Sequence, residues 1–170
     1  MSGVEALNAF FEGDSLQVVG FRLGTEEFAV PILSVREINQ RPSVTSIPHV
    51  PAHVAGITNL RGRVIPVVET ALHFGMPQNE RDRNSERLMV IEVAGRPVGF
   101  LVDAVSQVRR IELSQCSSPP TTSSAAKAEF IAGIAKLESH LVILLDPARM
   151  IGLDDLPDAE AMGSPVEAAA

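Results

Sequence analysis

The chain repeats itself, and the repeat limits what it can fold into. Residues 54–69 (VAGITNLRGRVIPVVE) and 131–146 (IAGIAKLESHLVILLD) align with a shift of 77. Gly56 falls on Gly133, Ile57 on Ile134, Leu60 on Leu137, Val67 on Leu144, Val68 on Leu145 and Glu69 on Asp146. A second pair lies 70 residues apart: Phe28 falls on Val98, Val30 on Phe100, Ile32 on Val102, Val35 on Val105 and Ile38 on Val108. The order is therefore A-B-A′-B′, a duplicated multi-strand unit rather than chance recurrence of Val and Ile. A unit of about 70 residues is marginal on its own, because small bodies bury too little of their surface. The two copies are expected to pack on each other and share a core.

Each repeated segment reads as a hairpin. Residues 16–23 and 26–30 flank Gly24-Thr25, and 87–93 and 98–103 flank Ala94-Gly95-Arg96-Pro97. Short apolar runs broken by Gly and Pro, without strand–helix alternation, place the chain in the all-β class. Closure into small barrels would remove exposed edges, and Pro66, which cannot donate to a ladder, points to a bulge or barrel corner. Residues 32–38 put Ile32, Val35 and Ile38 at helix-like spacing, so a short helix or tight loop is expected there. Residues 42–53 read as a loop, 70–77 as one helical turn, 78–86 as a solvated connector and 114–125 as a flexible loop. Pro147 opens a short closing helix. Residues 1–15 form a partly ordered arm and 16–153 the single body. Residues 154–170 lack apolar periodicity and read as a flexible acidic tail.

Charge and composition exclude several functions. The net charge is −7, but residues 154–170 carry five acids and no Lys or Arg, so the body is nearly balanced. With 12 Arg, 2 Lys, no Trp and no Tyr, the chain offers neither a basic stripe nor stacking platforms, which argues against nucleic acid. Cys116 stands alone, which rules out an intrachain disulfide and a zinc-type cysteine pair. No secretory leader pattern and no apolar stretch of spanning length occur, so a cytoplasmic protein without membrane insertion is expected, and with no long apolar edge evident, a monomer.

His49 and His53 are four apart, but Pro48 and Pro51 break any helix that would give that spacing metal-ligand meaning. His73 and His140 are isolated, so no metal is expected. Nucleophile elbows and phosphate-cradling glycine motifs are absent. Asp103 and Asp146 each follow an apolar strand and read as strand ends that cap what comes next. The chain is therefore read as a non-enzyme with no catalytic residues and no cofactor.

What distinguishes the copies is the turn. Asn59-Leu60-Arg61-Gly62-Arg63 in the first stands where Lys136-Leu137-Glu138-Ser139-His140 stands in the second. Shared positions should specify fold, and the reversed charge at Arg61 and Glu138 should not. A guanidinium suits bidentate contact with carboxylates. The pattern alone leaves open partner contact or a merely solvated tip at Arg61, and the same holds for Val35 and Glu37.

Gly56 through Glu69 (GITNLRGRVIPVVE) resembles the signature of the CheW family of chemotaxis coupling proteins. Residues 26–38, 95–108 and 130–146 support it, so the resemblance covers about 16–152. It implies two five-stranded SH3-like barrels around a shared hydrophobic interface, with few short helices. It also implies an adaptor that joins the cytoplasmic hairpin tips of methyl-accepting chemoreceptors to the CheW-like regulatory domain of a CheA-type histidine kinase. Other CheW-like domains are further partners, in rings. Recruitment to membrane-associated receptor arrays would follow. By the resemblance, Val35, Glu37, Gly56 and Arg61 carry partner contacts, with Asn59 and Gly62 supporting the turn. Where the family continues Asp-Leu-Arg after the PVV strand, this chain has Glu69-Thr70-Ala71. A coupler of a pilus-motility or other chemosensory pathway, or a β-barrel binding a small ligand between its barrels, are the alternative readings.

Overall fold

A computed structural model describes residues 3–76, 83–118 and 128–158 of the chain. Its strands in chain order are β1 (Ser15–Leu23), β2 (Glu26–Pro31), β3 (Val35–Gln40), β4 (Val54–Leu60), β5 (Arg63–Glu69), β6 (Arg87–Val93), β7 (Arg96–Val102), β8 (Ala104–Glu112), β9 (Cys116–Ser117), β10 (Ile131–Lys136) and β11 (Leu141–Leu145). A single α-helical turn, Thr70–His73, and several short 3-10 turns make up the remaining regular structure of these residues.

The strands form two sheets of the same plan. One runs β8-β1-β2-β11-β10-β9 and the other β3-β6-β7-β5-β4. Each has an antiparallel hairpin of the first kind joined in parallel to one of the second: β2 to β11 and β7 to β5. The bulges repeat as well, between Val54 and Gly56 in β4 and between Ile131 and Gly133 in β10. The copies do not fold side by side, however. After β1-β2 the chain gives β3 to the other sheet, against β6, and after β6-β7 it returns β8 to pair with β1.

Each sheet curls until its edges meet. In the second, Thr45 bridges Ile57, tying the segment after β3 to edge strand β4. In the first, the matching closure is β9, whose Ser117 pairs with Ile134.

Burial explains the near-continuous apolar runs. Successive side chains of a strand point to opposite faces, and here both faces are covered. Val18, Ala29 and Leu144 fill the first barrel with Leu16 and Ile111. Val67, Leu88, Val90 and Leu101 fill the second. Their chain neighbours Val19, Phe28, Val68, Met89, Phe100 and Leu145 face the other way, into one layer between the barrels. There Phe28 lies 5.8 Å from Phe21 and 5.6 Å from Phe74, and Phe74 stacks on Phe130 at 5.1 Å.

Several local expectations change. Residues 32–38 are not a helix: Ile32–Ser34 is a 3-10 turn and Val35 starts β3. A bulge between Val35 and Glu37 breaks the two-residue period, and Ile38 faces outward. Those two features made the apolar spacing look helical. Residues 104–112 form a strand that the sequence reading lacked, and β9 falls within the stretch read as loop. Near the N-terminus, Gly3–Phe10 is a 3-10 helix whose Leu7 is fully buried in the first barrel's core. Asp146 caps Pro147–Arg149, accepting from the Ala148 N–H at 3.0 Å, whereas Asp103 accepts from the Gly24 N–H at 2.7 Å and ties down the β1-β2 turn. Residues 77–82 of the connector, 119–127 of the loop and 159–170 of the tail lie outside the described residues.

One ion pair joins distant segments. The Arg41 guanidinium donates to Glu86 at 2.9 Å, and Glu86 is only 2% exposed. Removing one member of such a pair leaves a buried charge less well compensated. Arg41→Ala is expected to cost about 2 kcal/mol, below the range for fully buried pairs because Arg41 is partly solvated. A urea midpoint should fall accordingly and recover in part with Glu86→Gln. An unchanged midpoint would show the pair to be dispensable.

Candidate partner-binding site

The β4-β5 hairpin turns on two residues, with Leu60 opposite Arg63. Arg61 has φ 55° and Gly62 φ 84°, the paired positive values of a type I′ turn, whose twist matches the strands it joins. Glycine accepts this readily; Arg61 does so at a cost. The Asn59 side-chain oxygen accepts the Gly62 N–H at 2.9 Å and locks the turn. The result is a rigid tip from which the Arg61 side chain projects, 81% exposed.

Glu37 comes from the opposite edge of the sheet. In the strand order β3 and β4 are farthest apart, yet barrel curvature brings Glu37 Oε1 to 3.8 Å from Arg61 Nε. The Asn39 side-chain amide donates to the same oxygen at 2.7 Å. Arg36, on the bulge beside Glu37, pairs with Glu92 of β6. Alternating charges thus line a groove of about 160 Å³ whose walls include Leu60, Ile65 and Pro97. An acid held by an amide, an exposed guanidinium and an apolar floor make a surface suited to another protein's polar-rimmed patch.

The remaining expected residues sit differently. Val35 is half-buried against the interbarrel core, at the start of the same strand as Glu37. Gly56 is buried and has φ 146°; a Cβ there would lie 1.9 Å from the Thr45 carbonyl oxygen. Its place is under the bridge that closes the barrel, not on the outer surface. At the departure from the family pattern, Thr70 is fully buried and Ala71 packs in the interbarrel core. This position therefore faces inward.

The first barrel's equivalent turn carries a different set. His140 Nε2 lies 2.7 Å from Glu27, to which Arg109 also approaches at 3.7 Å and the Ser106 hydroxyl donates at 3.1 Å. His53 and His73, separate in sequence, meet with ring centroids 4.4 Å apart, and His73 Nε2 is 2.7 Å from the Met150 carbonyl. Nothing local in the sequence could have announced that pairing. Among the described residues no group of three or more His, Cys, Asp or Glu could hold a metal ion. Burial pushes the Cys116 thiol up, which disfavours the reactive thiolate. No helix among the described residues is long and apolar enough to cross a membrane.

The family model of the CheW-like domain matches residues 17–154. A probable chemotaxis protein CheW of Rhizobium etli is 34% identical over 142 residues, covering 83% of this chain and 90% of the relative. Protein PilI of Pseudomonas aeruginosa is 29% identical over 125 residues, 74% of this chain and 70% of the relative. The crystal structure of a scaffolding protein, TtCheW from Thermoanaerobacter tengcongensis, matches with a TM-score of 0.72 and 32% identity, over 76% of this chain and 88% of that one.

Proposed function

The chain belongs to the CheW-like domain family, whose members are chemotaxis scaffolds and not enzymes, and from that premise we propose that it couples chemoreceptor cytoplasmic tips to a CheA-type histidine kinase. In this reading residues 16–153 are the adaptor domain, with 1–15 as an arm and 154–170 as a tail. It acts in the cytoplasm, as a monomer that receptor arrays recruit. The observation that carries the proposal is the β4-β5 tip: a locked turn holds Arg61 outward beside Glu37, while the repeated turn has Glu138. A repeat that preserves the fold but reverses this charge separates recognition from folding. Val35 and Glu37 of β3 form the same contact surface. Gly56, Asn59 and Gly62 set its backbone.

Signal passes as a shift in the populations of receptor and kinase states that bind the scaffold differently. The exposed Arg61–Glu37 pair contributes well under about 1 kcal/mol to stability, so the tip can change without loss of fold. Arg61→Glu is expected to weaken binding to the kinase regulatory domain or the receptor tip about tenfold or more, a loss of about 1.4 kcal/mol. The melting temperature should stay within about 2 °C of wild type. Calorimetric titration with each purified partner measures the first, and thermal unfolding the second. Unchanged affinity for both partners, or an unfolded variant, would remove Arg61 from the interface. Similarity to Protein PilI favours a second reading, a coupler in a pilus-motility or other chemosensory pathway. Mass spectrometry of partners retained from source lysate separates the two.

A further inference from the structure

Three strands of the first barrel converge on one carboxylate. Glu27 of β2 is 19% exposed, and its Oε2 accepts from the Ser106 hydroxyl of β8 at 3.1 Å, with Arg109 of the same strand at 3.7 Å. Gly20 of β1 leaves the room this needs, since a Cβ there would collide with Ser106 Oγ. The other oxygen, Oε1, lies 2.7 Å from Nε2 of His140, at the end of the β10-β11 turn. Lone pairs of nitrogen and oxygen repel at that distance, so in the neutral ring Nε2 carries the proton, though the contact is not aligned as a hydrogen bond. Nδ1 is left as an acceptor, and the Ser139 hydroxyl lies 3.0 Å from it. A bond from the Leu137 N–H to the His140 carbonyl at 2.9 Å closes the turn that carries both residues. Ser139 itself is exposed. In the other copy of the repeat, Pro97, Gly62 and Arg63 stand where Glu27, Ser139 and His140 stand here, so the barrel does not need this set in order to fold.

We propose that Ser139 is an activated nucleophile, a modification site that takes an acyl group from a small activated ester or thioester. His140 is its base, and Glu27 is the positioning residue that holds the base. A hydroxyl within reach of an imidazole, which is in turn oriented by a third group, is the arrangement that makes a weak nucleophile reactive. Ser139 Oγ attacks the acyl carbonyl carbon and forms a C–O bond. Its proton passes to His140 Nδ1, and the Glu27 carboxylate stabilises the imidazolium. The bond from the carbonyl carbon to the thiolate or aryloxide breaks, and the leaving group takes up the proton. Nothing is oxidised or reduced. The product is an O-acyl serine beside Glu138 at the tip of the first barrel, and its formation does not depend on the coupling function proposed above.

The test treats the full chain with p-nitrophenyl acetate, follows release of p-nitrophenolate and maps acetylated peptides by mass spectrometry. The fastest acetylation is expected at Ser139, as an ester that hydroxylamine removes. Ser139→Ala should abolish that phase. His140→Gln should slow it about 100-fold, the lower end for a positioned general base. Glu27→Gln should slow it less and should mix the ring tautomers: nitrogen spectra of His140 should show the Nε2–H form in the wild type and both forms in the variant. Thermal unfolding checks that each variant is folded, and if Glu27→Gln is not, Ser139→Ala at its exposed turn and the peptide map still decide. Acetyl groups only on lysines or the N-terminus, esters spread over several serines, or an unchanged rate in His140→Gln would each overturn the proposal. An unaltered His140 spectrum in Glu27→Gln would remove Glu27 from it.

Discussion

Phe28→Ala should lower the stability of both barrels at once, by about 3–5 kcal/mol. Phe28 is fully buried in the layer between the sheets, touching Phe21 on its own sheet and Phe74 on the segment after β5. Domains of this size hold only about 5–15 kcal/mol in total, so the loss is a large fraction. At roughly 2–4 °C per kcal/mol, the melting temperature should fall by about 10–15 °C. The transition should remain single, because the layer that loses volume contains residues of both sheets. Calorimetry with a comparison of calorimetric and van't Hoff enthalpies decides this. Two separate transitions would mean that the barrels are held by their own cores, Leu16 and Val18 on one side and Leu88 and Leu101 on the other, rather than by the shared layer.

Gly56→Ala should be of comparable size for a different reason. The backbone at φ 146° lies in a region that side-chain-bearing residues rarely adopt, and the added carbon would meet the Thr45 carbonyl at 1.9 Å. Backbone strain of about 1–3 kcal/mol and overpacking of similar size together give about 3–5 kcal/mol. Relief requires the Thr45–Ile57 bridge to open, which unlatches the second barrel. Gly62→Ala is the control: φ is 84° but nothing lies within 4 Å of the new carbon, so only about 1 kcal/mol is expected. Denaturant midpoints of the two variants should therefore differ clearly. Equal midpoints would mean that the turn, not the bridge, limits stability. Partner binding by Gly56→Ala should fall together with folded fraction, because Gly56 is buried beneath the bridge.

The repeat made most of the architecture readable before any coordinates. Hairpins with two-residue turns announce themselves locally, as at Gly24-Thr25, and Asn59 lies close enough in sequence to Gly62 for its capping role to be guessed. What escaped was long-range. Edge strand β3 has an alternating but weakly buried pattern with a bulge, and only pairing with β6, about 50 residues away in the chain, makes it a strand. β8 escaped for the same reason, since most of its length is solvated and its definition comes from β1. The exchange of these two strands between barrels leaves no trace in periodicity. Nor does the meeting of Glu37 and Arg61 across a closed sheet: the resemblance to a family named both residues singly, and barrel curvature brings them together. Leu7 looked like part of an arm because terminal segments often lack anchors, yet a single buried leucine fixes it to β10 and its neighbours.

The strand exchange also sets an order for synthesis. Every strand of the five-stranded sheet lies between Val35 and Val102, whereas the other sheet needs residues near both ends, Ser15–Pro31 and Ala104–Leu145. On a ribosome the five-stranded barrel can close as soon as β7 emerges. The β1-β2 hairpin must wait for more than forty residues more, its apolar faces uncovered. Nascent chains halted between these points would hold one finished barrel and one orphaned hairpin, the species most exposed to chaperones and to misassembly.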